Sequence, residues 1–483
     1  SLAQFNLNTN DFWLNYYGKS TPLLKAFLTP LTITASNANK TYDGLVYSGS
    51  QAFSTSISTN SYLLGADTMQ YGGSGATAVN VGTYSIVPSG LYSNDNRGYA
   101  ISYANGTLSI QKADLTLSGT RPYDGSTVMA GTYLTANGVN GETFTVVGAG
   151  ATGNLSTRNA QTAQPLATSA GLALGSSGNG GLSSNYNALG VAGSSVTVTP
   201  KSVTLTAPTA SKVYDGTSSY VATSDDLSAL SAQLGVVGDG ISSSTLSFAN
   251  KNAGLGNKAL SLSAATVNDG NSGLNYAISY AGNSNSTITP KALTISGITA
   301  ADKVYDGTAT AAVSTAGVSA SVLQAGGMVA GDDVRVSASG NFRNAGNTAN
   351  DKNVGNAKTV QLSSSYSGTD VDNYSITGQA STTASITPKA LTISGITAAD
   401  KVYDGTSTAA VSTAGVTASV LQANGMVAGD DVQVSASGNF RNAGNTANDK
   451  NVGNAKTVLL SSSYSGTDVD NYSITGQAST TAS

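Results

Sequence analysis

The sequence predicts an all-β protein built from tandem small β-sandwich modules of immunoglobulin-like type, set in an extended array. Three observations carry that prediction. A Tyr-Asp-Gly tripeptide returns five times, short alternating apolar runs lie between Gly/Asn/Ser/Asp clusters, and a tyrosine recurs beside the final strands of every copy.

The tripeptides are Tyr42-Asp43-Gly44, Tyr123-Asp124-Gly125, Tyr214-Asp215-Gly216, Tyr305-Asp306-Gly307 and Tyr403-Asp404-Gly405, spaced by 81, 91, 91 and 98 residues. Each follows a stretch with alternating apolar positions, such as Leu31 and Ile33, or Leu293 and Ile295. Asp-Gly after Tyr is a tight-turn signal, because glycine tolerates positive φ and aspartate bonds to nearby backbone. The expected arrangement is a strand end, then a turn, with the Tyr ring directed inward. The later tyrosines are Tyr99, Tyr186, Tyr276, Tyr374 and Tyr472, the last four preceded by asparagine. Residues 291–385 and 389–483 differ at five positions only, a sign of recent duplication where length matters more than a unique site.

Boundaries follow from the joints. Thr199-Pro200-Lys201, Thr289-Pro290-Lys291 and Thr387-Pro388-Lys389 each separate a closing strand from the next opening strand, and Gln111-Lys112 does so without proline. This divides the chain into a junction segment 1–30 and modules 31–111, 112–200, 201–290, 291–388 and 389–483. A connection of three residues containing proline restricts φ and shortens reach, so neighbours should touch end to end. Within modules, Val334 and Val336, Val360 and Leu362, and Tyr374 and Ile376 show the period of two of half-buried strands. A β-grasp-like module with one short helix is the alternative, and Ser321–Gln324 is the helix-compatible piece. In the junction segment, Thr21-Pro22 followed by Leu23 to Leu28 reads as an N-cap, a proline at the first helical position and one to two helical turns. Both ends of the sequence read as cut, with targeting and anchoring segments expected outside it.

Composition removes several functions. Charged residues are 10% and the net charge is −4, without the basic footprint of a nucleic-acid binder or the means of electrostatic attachment to lipid, and no transmembrane run is present. The 39% hydrophobic fraction and 23 tyrosines supply a core, which argues against disorder. There is no cysteine and no histidine, so disulfide frameworks, thiolate metal sites and the usual nucleophile–base pairs are missing. Glu142 is the only glutamate, and an aspartate that recurs in every turn is more economically structural than catalytic. The expectation is a protein that is not an enzyme and carries no cofactor. Weak calcium candidates are Asp332, Asp333, Asp370 and Asp372, which could offer hard oxygen ligands. Trp13, Tyr62, Tyr71 and Tyr92 are candidates for stacking on a carbohydrate.

Several motifs resemble a known family. Lys-Val-Tyr-Asp-Gly-Thr (212–217, 303–308, 401–406), Gly-Asp-Asp-Val (331–334, 429–432), Lys-Asn-Val-Gly (352–355, 450–453) and Asp-Asn-Tyr (372–374, 470–472) resemble the YDG module. The first module, with Lys40-Thr41-Tyr42, Asn80-Val81-Gly82-Thr83-Tyr84 and Gly106-Thr107-Leu108-Ser109-Ile110, resembles the related MBG module. The second departs from the pattern, with Arg121-Pro122 before its tyrosine. Such modules occur in filamentous-haemagglutinin-like exoproteins of two-partner secretion systems in Gram-negative bacteria. The resemblance implies export, display at the bacterial cell surface, and a role in adhesion or biofilm formation. It also implies partners: an outer-membrane transporter during export, a preceding β-helix region, and a polysaccharide or another surface molecule.

Overall fold

The alternating apolar positions become strands whose buried side chains line small, separate cores. The structure is a computed structural model and describes residues 12–16, 18–48, 52–59 and 70–483. Tandem all-β modules are observed, as expected. The chain forms two compact units, one of residues 1–206, 222–244 and 263–281, the other of residues 207–221, 245–262 and 282–483.

In the first unit, strand Thr29–Ala35 pairs in parallel with Tyr99–Ala104 and antiparallel with Phe53–Thr55. Ala38–Thr41 pairs in parallel with Gly106–Gln111, which runs antiparallel to Gly82–Ser89. Leu31, Ile33 and Tyr99 are buried together, with Tyr71, Leu91, Ile101 and Tyr103 packed against them. The second module is one six-stranded sheet, with Thr116–Pro122 between Leu134–Asn137 and Ser195–Thr199. The unit also holds Lys201–Thr206, parallel to Tyr276–Ala281, and the helix Ser224–Leu234.

In the second unit, residues 291–388 show the plan most completely. Lys291–Thr294 pairs in parallel with Tyr374–Thr377. A five-stranded sheet follows in the order Lys303–Val304, Ser381–Thr387, Gly355–Ser367, Arg335–Phe342, Thr310–Ala311. Its first pair is parallel and the remainder antiparallel, so the sheets are mixed. The apolar alternation reads out directly as Phe342, Val360 and Ile386, all fully buried. Residues 389–483 repeat the plan with a four-stranded sheet, Thr408–Ala409, Gln433–Phe440, Lys456–Ser465 and Ser479–Ala482, in which Ala409, Phe440, Val458 and Ala482 cluster.

Helices depart from expectation in two places. The piece at 321–324 is a helix, Ala320–Ala325, capped by the Ser319 side chain, and its copy is Ala418–Ala423 under Thr417. The longer helix Ser224–Leu234 was missed, although Thr223 and Asp226 form a capping box ahead of Leu227, Leu230 and Leu234. The helix expected over 23–28 is replaced by a two-residue strand, Leu23–Leu24, and a single 3-10 turn, Lys25–Phe27. Leu23 pairs with Leu14 across that strand and is buried, which fixes it in extended conformation; Pro30 then sits inside the strand Thr29–Ala35. Among the described residues no helix is long and apolar enough to cross a membrane.

Phe342 is fully buried, so Phe342→Ala removes a ring and leaves a cavity. A loss of about 3–5 kcal/mol is expected in denaturant unfolding, confined to residues 291–388 when followed by hydrogen exchange.

Candidate functional site: the joint between modules

In the last three joints the connection between modules is a single proline. Ser195–Thr199 ends at Pro200 and Lys201–Thr206 begins after it; Asn283–Thr289 and Lys291–Thr294, and Ser381–Thr387 and Lys389–Thr392, flank Pro290 and Pro388 in the same way. Parallel pairing then fixes both sides of the joint. On the near side, the backbone N–H of Tyr123, Tyr214 and Tyr305 donates to Thr199, Thr289 and Thr387 at 2.8–2.9 Å. On the far side, Lys201, Lys291 and Lys389 stand opposite Tyr276, Tyr374 and Tyr472. The Tyr-Asp-Gly tyrosine of one module is thus brought to the Asn-Tyr tyrosine of the next.

What they share is a carboxylate. In the fourth joint, Tyr305 Oη and Tyr472 Oη both donate to Oδ2 of Asp430, at 2.8 and 2.6 Å. Oδ1 of Asp430 accepts from Lys352 Nζ at 2.9 Å, and the same ammonium lies 3.0 Å from Asp468. The two rings meet edge to face, centroids 5.6 Å apart, and Lys352 lies over the Tyr305 ring. Asn471 completes the set: its Oδ1 accepts the backbone N–H of Val354 at 2.9 Å and its Nδ2 donates to Asn353. The third joint repeats this with Tyr214, Tyr374, Asp332, Lys251, Asp370 and Asn373.

The same geometry recurs in the other unit with different residues. Tyr123 and Tyr276 donate to Asp239, and Arg158 replaces the lysine at 2.8 Å from Asp239. Asn275 accepts the N–H of Ala160. In the first joint Tyr42 and Tyr186 donate to Glu142, Asn185 accepts the N–H of Val81, and Val79 stands where the cation would be. A buried carboxylate is tolerated only when its lone pairs are filled, and two phenols with a cation fill them.

The Tyr-Asp-Gly turn braces this contact. Asp306 Oδ1 accepts from the Thr308 N–H, the Thr308 hydroxyl and Lys303 Nζ, while Lys303 also donates to the Thr308 and Thr310 carbonyls. Those bonds hold the Asp306 carboxyl below its usual range against the opposing effect of burial. In the second module the buried Arg121 takes over, bonding Asp124 and the Ser126 carbonyl. Gly307 has φ +79°, and a Cβ there would lie 2.7 Å from Val427 of the next module. Each letter of the motif therefore has a role: Tyr bridges, Asp anchors the lysine, Gly allows close approach.

The tyrosine rings were expected to point into their own cores. Tyr42, Tyr123, Tyr214 and Tyr305 are instead buried by the following module, and Tyr403 is 56% exposed. The calcium candidates also read differently. Asp332 and Asp370 hold Lys251 between them, Asp333 pairs with Arg335, and Asp372 is exposed. An ammonium thus occupies the place offered to a metal ion, and no metal-holding cluster occurs among the described residues. Of the carbohydrate candidates, Trp13 is 39% exposed and paired with Leu24. Tyr71 donates to the Ala52 carbonyl, and Tyr92 packs near Tyr16 under Lys19. Tyr62 lies outside the described residues. Sequence reasoning noticed the motifs but missed that Lys-Asn of one copy and Asp with Asn-Tyr of the next form one site. The recurrence of Lys-Asn at 251–252, 352–353 and 450–451 and of Asn-Tyr at 275–276, 373–374 and 471–472 was the available signal.

Fold and joint together define a tandem array of homologous β-modules joined by a repeated polar contact. The chain belongs to the YDG domain family, which matches residues 199–284, 289–384 and 387–482, more than half of its length. The MBG domain of YGX type matches residues 31–109. No curated protein is significantly similar to the chain. Among solved structures, a SusE-like surface-located polysaccharide-binding protein from the Bacteroides thetaiotaomicron heparin utilisation locus aligns at 9% identity. The alignment covers 94% of this chain and 72% of that one, and its TM-score of 0.13 is too low to carry an argument.

Two outcomes test the joint. Gly307 and Gly405 share φ +79°, but nothing lies within 4 Å of a Cβ at Gly405. Gly405→Ala should cost roughly 1–2 kcal/mol for its backbone alone. Gly307→Ala should cost about 1–3 kcal/mol more, through the clash with Val427, in paired thermal unfolding. The second is alkaline opening. Burial, then the bonded carboxylate, raises Tyr123, Tyr186, Tyr276, Tyr374 and Tyr472 above 10.0, and burial is also the largest cause for Tyr42, Tyr214 and Tyr305. A phenol raised in the folded state stabilises fully below its unfolded value and loses that contribution as pH climbs through the folded value. The joints should therefore hold to about pH 10 and open above it, with tyrosinate absorbance and joint proteolysis rising together.

Proposed function

We propose that this chain is the non-enzymatic stalk region of a secreted bacterial surface adhesin, which projects an adhesive region from the cell and supports cell–cell or cell–matrix adhesion and biofilm formation. The observation that carries this reading is the repetition of one joint four times, each closed by a carboxylate that accepts from two tyrosines and by a single-residue or comparably short connection. A binding or catalytic protein needs one special site, whereas here the most elaborate chemistry is spent on fixing each module to the next. Domains of both matched kinds occur in adhesin-like surface proteins. Export by a two-partner system through an outer-membrane transporter, with a β-helix region preceding these modules, completes the proposal. The absence of cysteine suits a chain that crosses the membrane unfolded, since no disulfide can trap it.

A second reading is that the modules bind exopolysaccharide or host glycan directly. It is favoured by the exposed aromatic side chains near the start of the chain, Phe12, Trp13, Phe27 and Phe53. Stacking on sugar rings requires exposed aromatic faces, which a spacer does not need.

The two are separated by glycan-array and exopolysaccharide pull-down experiments on the whole chain, combined with small-angle scattering. A rod-like scattering profile without saccharide binding is the expected result. Saturable binding that is abolished by Trp13→Ala would replace the spacer by the lectin-like role. A compact or fully flexible profile would remove the mechanical basis of the proposal.

A further inference from the structure

We propose that the modules are shear clamps: tension along the chain slides the first strands of a module against its last strands, and the threonine before each joint proline stitches that contact. The inference rests on the stalk reading, because a spacer held between a cell and its target is pulled along its length. Tension enters a module at its first strand and leaves at its last, so the pairing of those strands sets the resistance. Where they run parallel to the strands beside them, the pull slides one along the other and loads all the ladder bonds together. An antiparallel pair opened from one end loads its bonds one at a time.

The first geometry recurs between opening and closing strands. In the first module Thr29–Ala35 is parallel to Tyr99–Ala104, and Ala38–Thr41 to Gly106–Gln111. In the second, Thr116–Pro122 lies directly beside the closing strand Ser195–Thr199 over five paired positions. In the fourth, Lys291–Thr294 is parallel to Tyr374–Thr377, and Lys303–Val304 to Ser381–Thr387. Leu31, Ile110, Leu117, Val198, Leu293 and Ile386 are buried on one side of these ladders, so water does not reach the bonds from that face to replace them as they stretch. The stitch is a side-chain bond. Thr199, Thr289 and Thr387 donate their hydroxyls to the carbonyls of Arg121, Lys212 and Lys303 at 3.2–3.3 Å. Each bond ties a closing strand to an opening one, beside the backbone bond from Tyr123, Tyr214 or Tyr305.

The fourth module separates geometry from the number of bonds. Its antiparallel pair Arg335–Phe342 and Gly355–Ser367 has eight paired positions, against four and two in the parallel pairs. The sequence has no cysteine, so pulling handles attach only where thiols are introduced. Single-molecule force spectroscopy then compares the whole chain pulled from thiol-tagged ends with the Arg335→Cys, Ser367→Cys chain, whose exposed handles open the antiparallel pair from one end. Forced unfolding reads the unfolding barrier, and end-to-end peaks should lie at several-fold higher force than the opening of that pair. Thr199→Val, Thr289→Val and Thr387→Val together keep the branched side chains but remove the hydroxyls, and should shift three of the end-to-end peaks to lower force. End-to-end peaks no higher than the opening of the antiparallel pair would overturn the proposal, and so would peaks that the three valines leave in place. A rod-like scattering profile alongside either failure would leave the stalk standing without the clamp.

Discussion

The structure turns on one buried carboxylate shared by two phenols that belong to different modules. Asp239, Asp332 and Asp430 have side chains that are almost wholly inaccessible. Leaving such a group without partners would cost far more than a surface ion pair contributes. The carboxylate therefore imposes a condition on its neighbour: a phenol and a cation must arrive from the preceding module at fixed positions. That condition makes the contact directional. An apolar patch would tolerate rotation of one module on the next, whereas Oδ2 with two donors and Oδ1 with a third does not. Polar bonds of this kind add little net stability but specify one geometry, which is what a joint must do.

That geometry is reached because the connection is short and both flanking strands are paired. Pro388 leaves one residue between Thr387 and Lys389, and each neighbour is held in a parallel ladder, to Val304 on one side and Tyr472 on the other. With so little slack, ordering the joint costs little additional chain entropy. The lysine that braces the Tyr-Asp-Gly turn works in the same direction. By bonding Asp306 and two carbonyls it fixes the backbone on which Tyr305 is mounted. The phenol is thus positioned before the next module contributes anything.

Much of the fold was legible because its signals are local. Strand alternation pointed to Val360 and Leu362, which are buried, and the helix-compatible piece Ser321–Gln324 lies within a short helix. The helix at 224–234 carried an equally local signal in Thr223 and Asp226, set among Ser and Asp residues of a kind that is also common in loops. The junction segment failed for another reason. Thr21-Pro22 is a good helix start, but burial of Leu23 against its paired strand outweighs propensity in so short a piece. The joint was legible in its parts only. Nothing local to Tyr305 reveals that Asp430, 125 residues away, accepts the hydrogen bond that its hydroxyl donates. The pairing appears only when motifs are compared across a module boundary.

The near-identical copies show how such a joint constrains an array. The five differences between residues 291–385 and 389–483 fall at Ala309/Ser407, Ser319/Thr417, Gly326/Asn424, Arg335/Gln433 and Gln361/Leu459. None is a joint residue. A module that must bind a neighbour at each end carries both halves of the contact, so duplication yields a copy that already fits. The first joint shows the opposite case. There Glu142 replaces the aspartate and Val79 replaces the cation, and both changes occur together on facing surfaces. The longer side chain reaches both phenols without a cation, while the Asn185 contact to Val81 is retained. Interchangeable joints thus belong to the repeated modules, and the boundary between unlike modules is built as a matched exception.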